Sequence, residues 1–571
     1  MLELPRELTR VALVVLVLIS AATHHVQGQE DRQHRAVTQQ VDAIFAEWDN
    51  RSSPGCALGV IQDGQFRYRR GYGMADLEND VPLASQSVFY IASTSKQFVA
   101  ASVILLAERD QLSLDDEVRK YVPELPDYGH PITIRQLLHH TSGLRDYLEL
   151  WPLAGELYED VHTADETLQL IARQQALNFV PGDDYLYSNS GYFLLGVIVG
   201  RVSGKTLKEF THDNIFQPLG MADAHFHDDR NHIVPGRALG HFRRPDGSMA
   251  LYLHNFALVG SGGLYTNVDD LLGWDRNFYD DKLSTGTLLP ELQRRGVLNN
   301  GDTLTYAAGL IIDEYRGLRT VSHAGAFLNY KTELLRFPDQ RFSVICLCNL
   351  GHLSPATLAR QVAEIYLADQ FTQPQERVVA GPFVRLEAQQ LERWAGSYWN
   401  PETRQIRKLV LEDRALVADF DGRRIRFEPL SLTRFRAVEP PVGMDIEFAA
   451  EKGDRPPLMH RYLPGRKPLT FQAVELSAPQ PAELEAYAAQ YYSKELDVIY
   501  RIEVDSNGEL YLRARNLPDG PLTPTVRDEF AVSNIVIHFV RDDDGKVTGL
   551  LAGNPWARDI EFVRIHDGND E

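Results

Sequence analysis

The sequence predicts an α+β domain followed by two small antiparallel all-β domains. Three observations carry that prediction. Strand-like runs stand at both ends of a first block of about 340 residues and enclose a helical middle. From about residue 383 the pattern turns to short strands and tight turns, and that tail repeats itself at a shift of 93 residues.

Taken in order, residues 1–28 read as a secretory leader. Arg6 and Arg10 precede an apolar run from Val11 to Ala22, and a polar stretch ending Val26-Gln27-Gly28 follows. A largely apolar run of twelve is too short to span a bilayer and suits the core of a cleaved signal. The expectation is cleavage after Gly28, export to the periplasm or beyond, and no stable membrane span afterwards. An amphipathic helix over 35–48 carries Val37, Val41, Ile44 and Phe45 at helical spacing. Strands over 55–62 and 65–72 are joined by Asp63-Gly64, a good hairpin signal. A mainly helical region covers 94–290. Strands return over 304–312, 318–323, 330–337 and 342–348, with Pro338-Asp339 turning between the last two, and a helix over 354–370 closes the block. One antiparallel sheet built from both ends of this domain, 29–372, is expected.

In the tail, the run from Leu391 to Tyr398 matches the run from Leu484 to Tyr491, and Thr470 to Val474 echoes Glu561 to Ile565. In the second copy Val498, Tyr500, Ile502 and Val504 alternate, and Asn507-Gly508 and Asp544-Gly545 mark turns. Two small barrels or sandwiches are expected, 383–476 and 481–571, behind proline-containing linkers at 373–382 and 477–481.

The net charge of −21 argues against nucleic acid or anionic lipid as a partner. Three cysteines make no disulfide framework. Cys346 and Cys348 alternate along a strand and are poorly placed to bond each other, so buried free thiols are expected at all three positions, Cys56 included. Nothing in the composition fixes an oligomeric state.

Three separated segments carry chemistry. In Ser93-Thr94-Ser95-Lys96 a serine and a lysine three apart share a helix face, so the amine reaches the hydroxyl. The apolar run through Phe98, Val99, Val103, Ile104, Leu105 and Leu106 predicts a buried helix with Ser93 at its amino end, where the dipole favours a developing oxyanion. Burial of Lys96 would favour its neutral form. In Tyr187-Ser188-Asn189 the phenol near cations could become phenolate-like and serve as a base, with Asn189 on the same side, bonding substrate. His323-Ala324-Gly325 ends a strand expected to wall the cleft. Gly325 would allow close backbone approach, the Ala326 N–H could pair with that of Ser93 as an oxyanion hole, and His323 could orient or polarise substrate. Taken alone, each segment is more often structural than catalytic. His225-Phe226-His227-Asp228-Asp229-Arg230 approaches a zinc pattern but lacks the final histidine. A polar surface loop is the better reading, with no metal expected. Thr266 and Asp269 are expected to form a capping box for the next helix.

Together S-T-S-K, Y-S-N and H-A-G, in this order, resemble the penicillin-recognising serine hydrolases: class C β-lactamases, DD-carboxypeptidases, related esterases and the D-aminopeptidases of peptidase family S12. The segments Gln136 to Leu144 and Gly260 to Tyr265 resemble that family too, and the likeness covers about 35–370. The resemblance implies a β-lactamase/transpeptidase-like fold with Ser93 as nucleophile, and Lys96 and Tyr187 as the proton-transfer pair. Asn189, His323, Gly325 and Ala326 would line the substrate site, and no cofactor is implied. β-Lactamases usually carry lysine where His323 stands, which puts strong penicillin turnover in doubt. The two repeated tail domains also resemble the D-aminopeptidase layout. Expected substrates are small D-residue amides and peptides, then simple esters, then β-lactams. The alternatives are a carboxylesterase or weak β-lactamase, a non-catalytic peptidoglycan or β-lactam sensor, and a protein whose tail domains carry the main role.

Overall fold

The computed structural model describes residues 35–252, 254–373, 383–420, 423–438, 444–449, 458–463, 467–517 and 520–565. The expected leader and its cleavage site lie outside the described residues, as does most of the first linker. Among the described residues no helix is long and apolar enough to cross a membrane.

A six-stranded antiparallel sheet organises the first unit. Its strands are β1 (Cys56–Gln62), β2 (Gln65–Tyr72), β3 (Ile311–Tyr315), β4 (Leu318–Phe327), β5 (Tyr330–Phe337) and β6 (Phe342–Cys348), in the spatial order β3-β4-β5-β6-β1-β2. The two ends of the unit therefore meet at the middle of the sheet, where β1 pairs with β6. Both central strands are continuous apolar runs because both of their faces are covered. Leu58, Val60, Val344 and Cys346 pack with Val41 and Phe45 of a helix over 35–45 and with Leu358 and Val362 of a helix spanning Pro355–Tyr366. Ala57, Ile345 and Leu347 face the helical middle.

That middle contains α1 (Lys96–Glu108), α2 (Asn189–Ser203) and α3 (Val268–Asp280). Every residue of α1 from Lys96 to Leu106 is buried, so this helix runs through the core. α3 is capped by Asn267, whose side chain accepts from the Asp270 N–H at 2.8 Å, in place of the expected Thr266–Asp269 box.

Two expected strands differ. The run 304–312 is mostly irregular, and β3 begins only at Ile311. A Cβ on Gly309, whose φ is 71°, would lie 2.6 Å from the Gln97 nitrogen. That stretch is therefore held against the start of α1 instead of the sheet edge. β4 runs on through the His-Ala-Gly motif to Phe327. The closing helix is shorter than expected, ending at Tyr366.

The cysteine expectation is overturned. Cys56 and Cys348 stand opposite one another on the paired central strands and form a disulfide, with Cα atoms 4.0 Å apart. Only Cys346 is free, its sulfur 3.7 Å from that of Cys348. A pairing between strands 292 residues apart cannot be read from local spacing.

Beyond the linker, eight strands from Gly396 to Val474 form a closed barrel. A second eight-stranded antiparallel unit spans Ala489 to Ile565, and its edges meet through a Tyr511–Pro521 bridge. The repeat is visible in detail. Short helices Ala388–Glu392 and Pro481–Leu484 lead into each unit. The Tyr398 hydroxyl donates to the Trp394 carbonyl in one unit, and the Tyr491 hydroxyl to the Tyr487 carbonyl in the other. The two units touch through buried Glu529, which accepts from Trp399 Nε1 at 2.8 Å and pairs with Arg404.

Candidate active site

Ser93 sits in a single 3-10 turn, Ala92–Ser95, that leads directly into α1. Ala92 adopts φ 47°, a left-handed conformation uncommon for a residue with a Cβ. The preceding turn thus presents Ser93 at the surface of an otherwise buried segment. One turn further on, Lys96 is fully buried. Its Nζ donates to Ser93 Oγ at 3.1 Å, to Asn189 Oδ1 at 2.9 Å and to the Ser261 carbonyl. Burial disfavours the ammonium and lowers the Lys96 pKa to about 7, the nearby Asp146 carboxylate opposing the shift. Close to neutral pH this amine is half unprotonated and in contact with the hydroxyl.

Tyr187 lies over the same amine, its ring centroid 4.8 Å from Lys96 Nζ and 4.1 Å from the His140 ring. Its buried hydroxyl stands beside Ser93, near enough to be influenced by it, but makes no well-formed hydrogen bond among the described residues. Burial pushes the phenol well above its ordinary pKa. Burial therefore favours the neutral phenol over the expected phenolate.

Asn189 opens α2, and its amide is fixed at both ends. Oδ1 accepts from Lys96, while Nδ2 donates to Asp146 Oδ2 at 2.8 Å. Asp146 also accepts from the Asn189 N–H at 2.9 Å, and burial raises its pKa.

His323 is buried, with Nδ1 2.7 Å from the Ala324 carbonyl and Nε2 3.0 Å from the Tyr306 hydroxyl. The carbonyl requires the proton on Nδ1, so Nε2 accepts from Tyr306. Burial and the neighbouring Lys96 depress its pKa to about 3, leaving a neutral ring. Gly325 is a packing requirement: a Cβ there would lie 2.2 Å from the Ile91 carbonyl oxygen and 2.3 Å from Thr332 Oγ1. Its absence lets β4 close on the segment that carries Ser93, where Thr94 Oγ1 donates to the His323 carbonyl at 3.2 Å. Leu328 and Asn329, at φ 50° and 64°, form a two-residue turn closing the Phe327–Tyr330 pair. Ala326 then occupies a non-hydrogen-bonded ladder position opposite Lys331, so its N–H points away from β5. β3 pairs with β4 only as far as Ser322, which leaves that side open to the Ser93 turn.

The structure therefore gathers Ser93, Lys96, Tyr187 and Asn189 around one amine, with His323 linked through Tyr306 and Tyr187. Sequence reasoning missed Asp146, Tyr306 and His140, and the role of Ser261. His140 and Ser261 fall in the two supporting segments, but no spacing rule links Asp146 to Asn189.

The His225 segment is not simply a surface loop. His225–Phe226 is a short strand paired with Leu264–Tyr265, and His227 is buried, while Asp228 to Arg230 are exposed. Among the described residues the only group of ligating atoms close enough to share an ion is the sulfurs of Cys56, Cys346 and Cys348, two of them already joined.

Comparison with known proteins identifies the family. The beta-lactamase family profile matches residues 35–367. Penicillin-binding protein 4* of Bacillus subtilis is 29% identical over 411 residues, covering 68% of this chain and 88% of that protein. A D-aminopeptidase of Brucella ovis is 28% identical over 548 residues, covering 91% of this chain and 98% of that protein. The octameric penicillin-binding protein homologue from Pyrococcus abyssi shares the fold with a TM-score of 0.54 at 22% identity, covering 76% of this chain and 99% of that one. The chain belongs to the beta-lactamase family and is a serine hydrolase.

Proposed function

We propose that the protein is an exported hydrolase of small amides and short peptides, of the D-aminopeptidase or D-Ala-D-Ala carboxypeptidase type, working through an acyl-enzyme on Ser93. The observation that carries this reading is the buried Lys96 amine 3.1 Å from Ser93 Oγ, with its pKa lowered to about 7. The amine accepts the hydroxyl proton as Oγ attacks the carbonyl carbon, and the resulting oxyanion is received by the N–H groups of Ser93 and Ala326. The leaving amine takes its proton from the Tyr187 hydroxyl, which Lys96 then reprotonates. In deacylation Lys96 takes a proton from water, the hydroxide adds to the ester carbonyl, and Ser93 Oγ leaves with a proton returned to it.

Preference for D-residue amides is supported by the D-aminopeptidase likeness, which covers 91% of this chain. The neutral His323 supports weak β-lactam turnover, since it offers no cation to a substrate carboxylate. Export is supported by the leader-like residues 1–28 and by the Cys56–Cys348 disulfide, a bond favoured in oxidising compartments. The test is a panel of D-alanine and L-alanine p-nitroanilides, p-nitrophenyl acetate and a chromogenic cephalosporin, run on wild type and Ser93→Ala. The D-anilide is expected to turn over fastest, with a loss of about a thousandfold or more in Ser93→Ala. Turnover that survives Ser93→Ala, or equal rates on the two anilides, would overturn the assignment.

A further inference from the structure

Arg145, Asp146 and Tyr147 join the reactive lysine to the C-terminal β unit. On the inner side Asp146 binds Asn189 through two hydrogen bonds, and Asn189 accepts from Lys96. The Tyr147 hydroxyl lies 2.6 Å from Ser261 Oγ, and the Ser261 carbonyl also accepts from Lys96. On the outer side Arg145, 2% exposed, donates to Glu495 Oε2 at 2.6 Å and to the Asp559 carbonyl at 3.1 Å. The Asp146 N–H donates to the Trp556 carbonyl at 3.1 Å.

Two of the three outer contacts come from turns at one end of the β unit, and Asp559 lies just inside the strand that follows the second turn. Glu495 lies between strands Ala489–Ser493 and Val498–Val504, and Trp556 between Val547–Asn554 and Ala557–Ile565. Glu495 is 5% exposed and also accepts from the Gln175 N–H at 2.8 Å. Asn554 reaches across to Glu149 Oε2 at 2.7 Å, and the Tyr500 hydroxyl to the Leu153 carbonyl at 2.7 Å. Removing one member of a buried charge pair leaves the other uncompensated, so loosening the Arg145–Glu495 contact is costly.

We infer that the C-terminal β unit is a working part of the active site: through Glu495 and the Trp556 carbonyl it holds Arg145 and Asp146, and through Asp146 and Asn189 it fixes the Lys96 amine. Glu495 is a positioning residue, roughly 350 positions away in sequence from the arginine it grips. The inference rests on Lys96 being the base in the proposed function. The groups that face Lys96 are Ser93, Asn189, the Ser261 carbonyl, Asp146, His140, His323 and the rings of Tyr187 and Tyr192. None of them belongs to the β unit, so a change in Lys96 on altering Glu495 is transmitted through residues 145–147.

The experiment compares full-length wild type, Glu495→Gln, Asp146→Asn and the double variant, with Ser93→Ala as control. It measures kcat, KM and the acid limb of kcat/KM on p-nitrophenyl acetate, with thermal unfolding alongside. Glu495→Gln is expected to lower kcat about tenfold or more while KM stays within about threefold. Its acid limb moves about half a unit or more to lower pH, because a displaced Asn189 no longer accepts from the ammonium. The double variant is expected to be no slower than the slower single variant, since both act on one chain of contacts. Wild-type kcat and an unmoved limb in Glu495→Gln overturn the inference, whatever the unfolding temperature does. Multiplying losses in the double variant overturn it too. If Glu495→Gln does not fold, Asn554→Ala carries the same prediction and the same refutation, because Asn554 Oδ1 shapes the hairpin by accepting from the Trp556 and Ala557 N–H groups, each at 3.0 Å. Turnover in Ser93→Ala would remove the underlying function. An inactive Ser93→Ala beside an unchanged Glu495→Gln removes this inference alone.

Discussion

Replacing Lys96 by methionine tests whether the protein keeps a destabilising group for the sake of chemistry. The side chain is fully buried, with its pKa lowered from 10.5 to about 7. Above pH 10.5 the folded and unfolded chains both carry the neutral amine there, and nothing is lost. As pH falls, the unfolded chain binds the proton first, so the native state is progressively disfavoured until the folded pKa is passed. The cost is about 4 kcal/mol at pH 7 and about 2 kcal/mol at pH 9. Methionine removes it, but leaves Asn189 Oδ1 and the Ser261 carbonyl without their donor, at about 1–3 kcal/mol each. Those losses are the same at both pH values. The stability of Lys96→Met relative to wild type should therefore fall by about 2 kcal/mol between pH 7 and pH 9. Urea unfolding of both proteins, followed by tryptophan fluorescence, reads this difference. In wild type, kcat/KM should rise about tenfold from pH 6 to pH 8 as the amine loses its proton. His323, depressed to about 3, contributes no limb in that range, so His323→Gln should keep it. A stability difference that does not change with pH, or a rate limb lost in His323→Gln, would refute the reasoning.

Gly325→Ala forces a Cβ to within 2.2 Å of the Ile91 carbonyl oxygen, pushing β4 off the Ser93 turn. It is expected to cost about 2 kcal/mol and about a hundredfold in kcat. An unimpaired variant would show that the turn is not held by this contact. Reducing the Cys56–Cys348 bond should destabilise the catalytic unit by about 5 kcal/mol, since it closes a loop of 292 residues. An unchanged urea midpoint in protein whose titratable thiols have risen from one to three would refute that.

Strands with a strong local signature were legible to the residue. Gln65–Tyr72, Tyr330–Phe337 and Phe342–Cys348 are bounded by turns that the sequence spells out. The run 304–312 misled because its alanines and glycine fit closely around α1 instead of pairing. Ser93 and Lys96 were legible because one helical turn joins them. The 93-residue repeat was legible because the leader helix and the tyrosine behind it recur in each copy. What escaped was long-range or electrostatic. The disulfide depends on register across the whole domain, Asp146 and Asn189 meet although they stand 43 positions apart, and the protonation of Tyr187 follows from burial that no motif encodes.

The pairing of β1 with β6 sets an order on how the molecule comes together. Cys56 has its partner strand only once residue 348 exists, so the centre of the sheet is its last part to close. During synthesis nearly 300 residues must wait with one edge of β1 unfilled, and contacts this distant in sequence slow folding. A sheet built this way remains open and threadable until residue 348 has been made, and the covalent staple can lock only after its final strand has slid into the gap.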